Sequence, residues 1–198
     1  MTGLFTEDEF TITHGGFAVR LRPSLRAAMR LERLHDGYPA LLAKLDAFDT
    51  LTVRKVMQIA ATNKGAADAF LSHAASLPLS VWQEGTQEAL RGLCGALLRS
   101  DADGTPAKPN AKPMTWAQAY AELYRIGTGW LGWTPAETLA ATPAEITEAF
   151  EGRISLFKAE HGITDDDKAK AASGDDLADL PDDEFDRAGF EALRASLM

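Results

Sequence analysis

The sequence has very little cysteine and no long apolar run. Its single cysteine, Cys94, excludes an internal disulfide, and the neighbours in RGLCGALL predict a buried, unreactive thiol. No stretch approaches the roughly 20 apolar residues that span a bilayer. The acidic start MTGLFTEDEF also lacks the basic and apolar regions of a secretory signal. We therefore expect a cytoplasmic protein that does not insert into a membrane.

Motifs for catalysis and metal binding are absent as well. The four histidines fall in four different predicted elements, and none has a second ligand at metal-binding spacing. The DADG of residues 101–104 is similar to the start of a calcium loop, but Pro106 and Lys112 occupy the positions that require glycine and glutamate. The chain has no G-x-S-x-G, P-loop or dinucleotide fingerprint. We expect no enzymatic activity, no cofactor and no metal site.

The net charge is −9, and most of the acidic excess lies near the C-terminus. Residues 163–198 carry four basic and eleven acidic groups, which disfavours binding to a nucleic acid duplex. A basic cluster near the N-terminus has two readings: a solvated helix face beside a strand end, which we favour, or a duplex-binding surface. Its members are Arg20, Arg22, Arg26, Arg30 and Arg33.

Alternating apolar and polar residues on both sides of Gly15-Gly16 predict a β-hairpin. Pro23 closes the second strand, and Ser24 is placed to cap the first helix. Apolar residues at helical spacing predict five helices before residue 100. The predicted fold class is therefore mainly α with an N-terminal β-hairpin.

Composition divides the chain into four segments. Residues 1–100 are predicted to form a β-hairpin plus helical domain, and residues 101–113, with three prolines, a linker. Residues 114–162 are predicted to form a small helical domain that begins with a helix capped by Thr115. Residues 163–198 are acidic and rich in small side chains, so we expect a disordered tail with a short helix at its end.

The tetrapeptide TPAE occurs twice, at residues 134–137 and 142–145. In each copy the threonine can cap a helix, the proline suits the first helical position, and the glutamate can complete a capping box. Pro143 must end the first of these helices within one or two turns. The repeat predicts a compact corner of two capped helices, a role that requires no further chemistry.

Apolar residues return near the C-terminus in DDEFDRAGFEALRASLM. They predict a helix that docks either on its own domain or on a partner, and both alternatives stay open. If it docks on a partner, deleting residues 163–198 should reduce capture of that partner and leave the core's melting temperature almost unchanged. The candidate contact residues are Phe185, Phe190, Leu193 and Leu197.

The run from Trp116 through YRIGTGWLGWTPAETLAATPAEI resembles a family of small phage tail assembly chaperones, which are also found beside gene transfer agent tail genes. The pattern of that family is a tryptophan-led helix, then Leu-Gly, a short capped helix and Thr-Pro-x-Glu-Leu. The matching pieces here are Trp116, Leu131-Gly132, the TPAE of residues 134–137 and the TPAEI of residues 142–146. The family commonly has Phe-Trp where this chain has Thr138-Leu139. Trp130 and Trp133 are our candidates for the partner contacts of that aromatic pair.

The first 100 residues, through GGFAVRLRPSLRAAMRLE, resemble a second family from the same tail gene neighbourhood, so the whole chain looks like a fused chaperone. The resemblance implies a phage or prophage protein without catalytic activity that acts in the cytoplasm of the bacterial host. It implies binding to the tape measure protein, recruitment of tail tube subunits, and absence from the mature particle.

Two other readings compete with the chaperone. One is a structural tail or head–tail connector component that stays in the particle, and the other is a DNA-binding regulator that uses the arginine cluster. Homo-oligomer formation, the assignment of partners to the two halves, and the production of a shorter form stay open.

Overall fold

The computed structural model describes residues 9–98 and 114–161, and the predicted fold class is confirmed in these ranges. The elements are β1 (Phe10–His14), β2 (Phe17–Leu21), α1 (Leu25–Glu32), α2 (Tyr38–Asp46), α3 (Thr50–Ala60), α4 (Lys64–Ala74), α5 (Leu79–Leu98), α6 (Trp116–Arg125), α7 (Pro135–Ala140) and α8 (Pro143–Glu160). A π turn, Ile126–Trp130, follows α6 directly. The predicted linker at 101–113 and tail at 163–198 lie outside the described residues.

The predicted hairpin is confirmed, and its turn explains the glycine pair. Gly15 and Gly16 have φ angles of 57° and 82°, the two left-handed conformations of a type I′ turn. Ile12 pairs with Val19 across the strands, and both side chains are buried on one face. Thr11 points to the opposite, solvent-facing side. The alternation in the sequence therefore becomes a hairpin with one apolar face.

Backbone hydrogen bonds attach the hairpin to the end of α3. The amide of Arg22 donates to the carbonyl of Ala60 at 2.9 Å, and the amide of Thr62 donates to the carbonyl of Arg20 at 3.0 Å. The chain leaving β2 is thereby held against the segment between α3 and α4. This attachment fixes where α1 starts.

Helix starts follow the capping signals in the sequence. The side chain of Ser24 accepts a hydrogen bond from the amide of Ala27, and Asn63 does the same for α4. Thr115 and Gln118 form a complete capping box at α6. No helix in the described ranges combines the length and apolar character needed to cross a bilayer.

Residues on both sides of 101–113 contribute to one hydrophobic core. Tyr120, Leu123 and Ile126 join the cluster that contains the apolar faces of the hairpin and of α1 to α5. The contact runs mainly through α1, which packs against α6 and α7. The proposed domain boundary stays a prediction, while the packing shows that the flanking segments form a common core.

Two tyrosine hydroxyls connect α2 with α6 inside this core. Tyr120 donates a shared hydrogen bond to the hydroxyl oxygen of Tyr38 at 2.9 Å and to the carbonyl of Leu97 at 3.1 Å. Tyr38 in turn donates to the carbonyl of Ala28 at 3.3 Å. Burial raises the pKa of Tyr120 to about 12 and that of Tyr38 further still. Both phenols therefore remain protonated in the folded protein.

Cys94 lies in α5 and is buried, as predicted from its apolar neighbours. Burial raises the pKa of its thiol to about 11, because the thiolate would lose its hydration. A buried thiol that stays protonated near neutral pH is a poor nucleophile. Cys94 therefore acts as a small apolar side chain.

Candidate functional site

The double TPAE segment forms the predicted corner, with both caps in place. Thr134 accepts from the amide of Glu137, and the carboxylate of Glu137 accepts from the amide of Thr134 at 2.8 Å. Thr142 and Glu145 repeat this arrangement, with the corresponding amide-to-carboxylate bond at 2.7 Å. The first helix, α7, has six residues and ends just before the second cap. The corner prediction is confirmed.

The second capping box also attaches the corner to the N-terminal half. Arg22 donates two hydrogen bonds to the carboxylate of Glu145, at 2.6 and 2.8 Å, and a third to the carbonyl of Ala140 at 3.2 Å. Close by, the amide of Leu25 donates to the carbonyl of Ala141 at 2.7 Å. The start of α8 is therefore fixed to the point where the hairpin leads into α1.

The π turn before the corner depends on one close contact. A Cβ atom on Gly127 would lie 2.4 Å from Cγ2 of Thr138, so only glycine fits at this position. Thr138 is fully buried, and its hydroxyl has no hydrogen-bond partner among the described residues. The carbonyl of Gly127 accepts from the amide of Trp133 at 2.9 Å. Single π turns are frequent at functional sites, where the extra residue redirects a side chain.

The two candidate tryptophans end in different environments. Trp130, the last residue of the π turn, is 46% exposed, and its ring meets that of Phe150 edge to face at 6.1 Å. Trp133 is half-buried and packs against the core. The corner thus presents Trp130 at the surface and turns Trp133 inward.

Helix α8 extends the apolar surface that begins at Trp130. Ile146, Phe150, Ile154 and Phe157 recur at intervals of four, four and three residues, which places them on one side of the helix. Ile146 and Phe150 are buried, Ile154 is half-buried, and Phe157 is 50% exposed. We define the corner face as Trp130, Phe150, Ile154 and Phe157. It is an apolar stripe that emerges from the core along the last turns of α8.

The corner face combines predicted and unpredicted residues. Trp130 was a candidate from the sequence, whereas Ile154 and Phe157 were not, although their spacing from Phe150 carried the signal. The candidate residues Phe185, Phe190, Leu193 and Leu197 lie outside the described residues, and their contacts stay a prediction.

The contact between His14 and His73 was not predicted from the sequence, because the two residues are 59 positions apart. Nδ1 of His14 and Nε2 of His73 lie 2.9 Å apart, so one ring donates and the other accepts. The ring of Phe17 stacks on His73 with centroids 4.7 Å apart. Within the described ranges no three side chains of the His, Cys, Asp and Glu types come together to hold a metal. The pair joins the hairpin end to α4.

The arginine cluster is divided between paired and exposed positions. Arg20 forms a 3.5 Å ion pair with Glu9 at the surface, and Arg22 is held at the corner. Arg26 and Arg30 on α1, and Arg33 directly after it, are exposed, as a solvated helix face requires; the choice between this face and a duplex-binding surface stays a prediction. A groove of about 300 Å³ beside Arg30 carries both charge signs, with Lys55, Lys64 and Asp68 among its lining residues.

No family model, curated protein or solved structure matches the chain.

Proposed function

We propose that the protein is a phage or prophage tail assembly chaperone that binds the tape measure protein and helps recruit tail tube subunits. The observation that carries this proposal is the corner face. Its Trp130 lies within the segment that resembles tail chaperones, the other three residues follow on the helix that the second TPAE begins, and the face exposes aromatic side chains next to two capped helix starts. The proposal also extends the resemblance to a cytoplasmic site of action and to absence from the finished particle.

An apolar stripe on a helix suits recognition of another amphipathic helix. Such complexes bury apolar residues spaced three and four apart, and a few aromatic anchors supply most of the affinity. Trp130 and Phe157 have the size and exposure of such anchors. A tape measure protein with long helices would present many faces of this kind.

The hydrogen bonds next to the corner face and the charge of the chain both suit the binding of an apolar client. The bonds of Arg22 to Glu145 and Ala140 hold the start of α8 in place, so the partner meets a preorganised surface. The net charge of −9 helps to keep a complex with an apolar client soluble. Neither feature requires catalysis, a cofactor or a nucleic acid.

The proposal predicts that genes for tape measure and tail tube proteins lie beside the gene for this chain, and it is tested by co-expression with the proteins they encode. We expect the tape measure protein to be recovered on an affinity-tagged chain. The double variant Trp130→Ala, Phe157→Ala should reduce that recovery at least about tenfold, because both anchors are lost. The control is Leu51→Ala, which removes a 69% exposed apolar side chain from α3. Equal recovery with all three proteins would exclude the corner face as the binding site.

Proteomics of purified particles distinguishes the chaperone from a structural tail or head–tail connector component. A chaperone is absent from mature particles, whereas a connector is present in fixed stoichiometry. Detection of the chain at a constant ratio to the tube protein would overturn the proposed function.

A further inference from the structure

The corner face extends along α8 beyond the residues that the hydrophobic core buries. Phe157 is seven residues after Phe150 and lies on the same side of α8, but it is half exposed where Phe150 is buried. His161 stacks on one face of the Phe157 ring, with ring centroids 4.0 Å apart, and Phe157 is still 50% exposed. The last two turns of α8 therefore present an apolar stripe that the described residues leave half exposed.

The charges along these turns balance, so apolar contact decides what binds there. Arg153 and Lys158 are matched in number by Glu151 and Glu160. A ligand for this stripe is consequently apolar along one side, with little dependence on net charge. Binding of this type should change little with salt concentration.

The chain itself supplies a ligand with these properties. Thirty-seven residues follow His161, and Phe190, Leu193 and Leu197 recur among them at intervals of three and four. The intervening residues 162–184 number 23, and a coil of that length spans roughly 25 Å. Phe150 and Phe157 are only about 10 Å apart along α8. The terminal segment can therefore reach the stripe, and its tether gives it a high effective concentration there.

We propose that residues 185–197 dock on the corner face of their own chain, with Phe190, Leu193 and Leu197 against Ile154 and Phe157. Its regulatory consequence rests on the proposed function: the terminal segment occupies the site that the tape measure protein binds, and the client must displace it. The free chaperone then keeps its apolar face covered until a helical client arrives. This assigns the segment to a contact within one chain rather than to the partner.

Hydrogen exchange of the isolated protein tests the docking without any partner. In the variant Leu193→Asp, Leu197→Asp, amides of residues 152–160 should exchange about tenfold faster than in the unchanged chain. The matched control is Ala188→Asp, Ala195→Asp, which adds the same charge on the opposite side of a helix and should leave exchange unchanged. Phe157→Ala should accelerate exchange from the other side of the contact. The acceleration should be the same at all protein concentrations.

Two exchange outcomes overturn the proposal. Equal exchange in the unchanged chain and in the Leu193→Asp, Leu197→Asp variant would show that the segment does not cover α8. Protection that grows with protein concentration would show that a second copy of the chain covers it instead.

Binding of the tape measure protein separates this proposal from the proposed function. A segment that slows exchange tenfold occupies the face about 90% of the time, so its loss should strengthen client binding about tenfold. Weaker client binding by the Leu193→Asp, Leu197→Asp variant would place the segment on the client and overturn docking within the chain. If neither form binds the client, the proposed function fails while the exchange result stands.

Discussion

Thr134 and Thr142 begin helices in the same way, but the glutamates three residues later have different neighbours. Glu137 is exposed, and its hydrogen bonds from Thr134 lower its pKa. Because its folded pKa is depressed, its contribution to stability is present above about pH 4.5 and is lost as the pH falls. Glu145 likewise accepts from the amide of its capping threonine, Thr142, and its two carboxylate oxygens also accept from Arg22.

We expect Glu145→Ala to destabilise the protein more than Glu137→Ala. The loss for Glu145→Ala should be about 1 to 2 kcal/mol, because a bidentate charged bond is lost but the side chains, 27% and 29% exposed, are partly screened by water. Urea unfolding at pH 7 measures both variants. A double-mutant cycle with Arg22→Ala then isolates the pair. Equal losses at the two positions would mean that the ion pair contributes nothing.

The buried tyrosine pair is expected to lower the stability of the protein as the pH rises above 10. Tyr120 titrates near 10 when unfolded and about 12 when folded, so its contribution is present below pH 10 and is lost as the pH rises toward 12. The expected decrease is about 1.4 kcal/mol per pH unit for this group. Tyr120→Phe should remove about this much from the pH dependence of the free energy of unfolding, measured by urea unfolding between pH 9 and 11.5. Tyr124→Phe is the control, and an unchanged slope in both variants contradicts the assignment.

At the scale of the elements, the π turn depends on the identity of single residues. It places Gly127 against Thr138 and Trp130 at the surface in the same five residues. An aromatic residue at position 138 would not fit against Gly127 in this arrangement. The exposed aromatic side chain of this region is Trp130, the last residue of the π turn.

Two alanine substitutions separate packing from helix propensity in this turn. Gly127→Ala should cost about 1 to 3 kcal/mol, because its Cβ would overlap Thr138. Gly129→Ala has no atom within 4 Å of its Cβ and should be neutral or stabilising by up to about 1 kcal/mol. Thermal unfolding of both variants provides the measurement. A stable Gly127→Ala protein would show that the turn can open without loss.

At the scale of the whole molecule, the segments before and after 101–113 depend on each other. The Tyr38–Tyr120 contact, the Arg22–Glu145 pair and the packing of α1 on α6 and α7 all cross between them. Separating the segments would expose to water the faces of α6 and α7 that pack on α1. The cost of that exposure opposes independent folding of the smaller segment.

A protease site inserted within 101–113 tests this dependence. After cleavage we expect the two fragments to remain associated with unchanged helical circular dichroism. A fragment beginning at residue 114 should lose most of its helix when isolated, because most of its helical stability comes from packing. A fragment that melts cooperatively alone at the temperature of the intact protein would instead establish two independent domains.

Much of the local structure could be predicted from particular residues. The Gly15-Gly16 turn and the caps at Ser24, Thr134 and Thr142 all follow from signals within four positions. Part of the candidate site could be predicted as well, since Trp130 stood out beside the repeat. The spacing from Phe150 places Phe157 on the same side of α8, but its exposure depends on where the core ends, which the spacing alone does not report.

The sequence by itself determined the hairpin, the helix starts at Ser24 and Thr115, and the two capped starts of the TPAE repeat, because their hydrogen bonds close over three or four residues. Only the tertiary structure decided that Arg22 meets Glu145 across 123 positions, that His14 meets His73, and that Trp130 faces outward while Trp133 packs inward. An apolar stripe in a sequence indicates that one side of a helix is to be buried. Which other surface buries it depends on how all elements pack together, because dispersion and apolar burial act between any surfaces that come into contact.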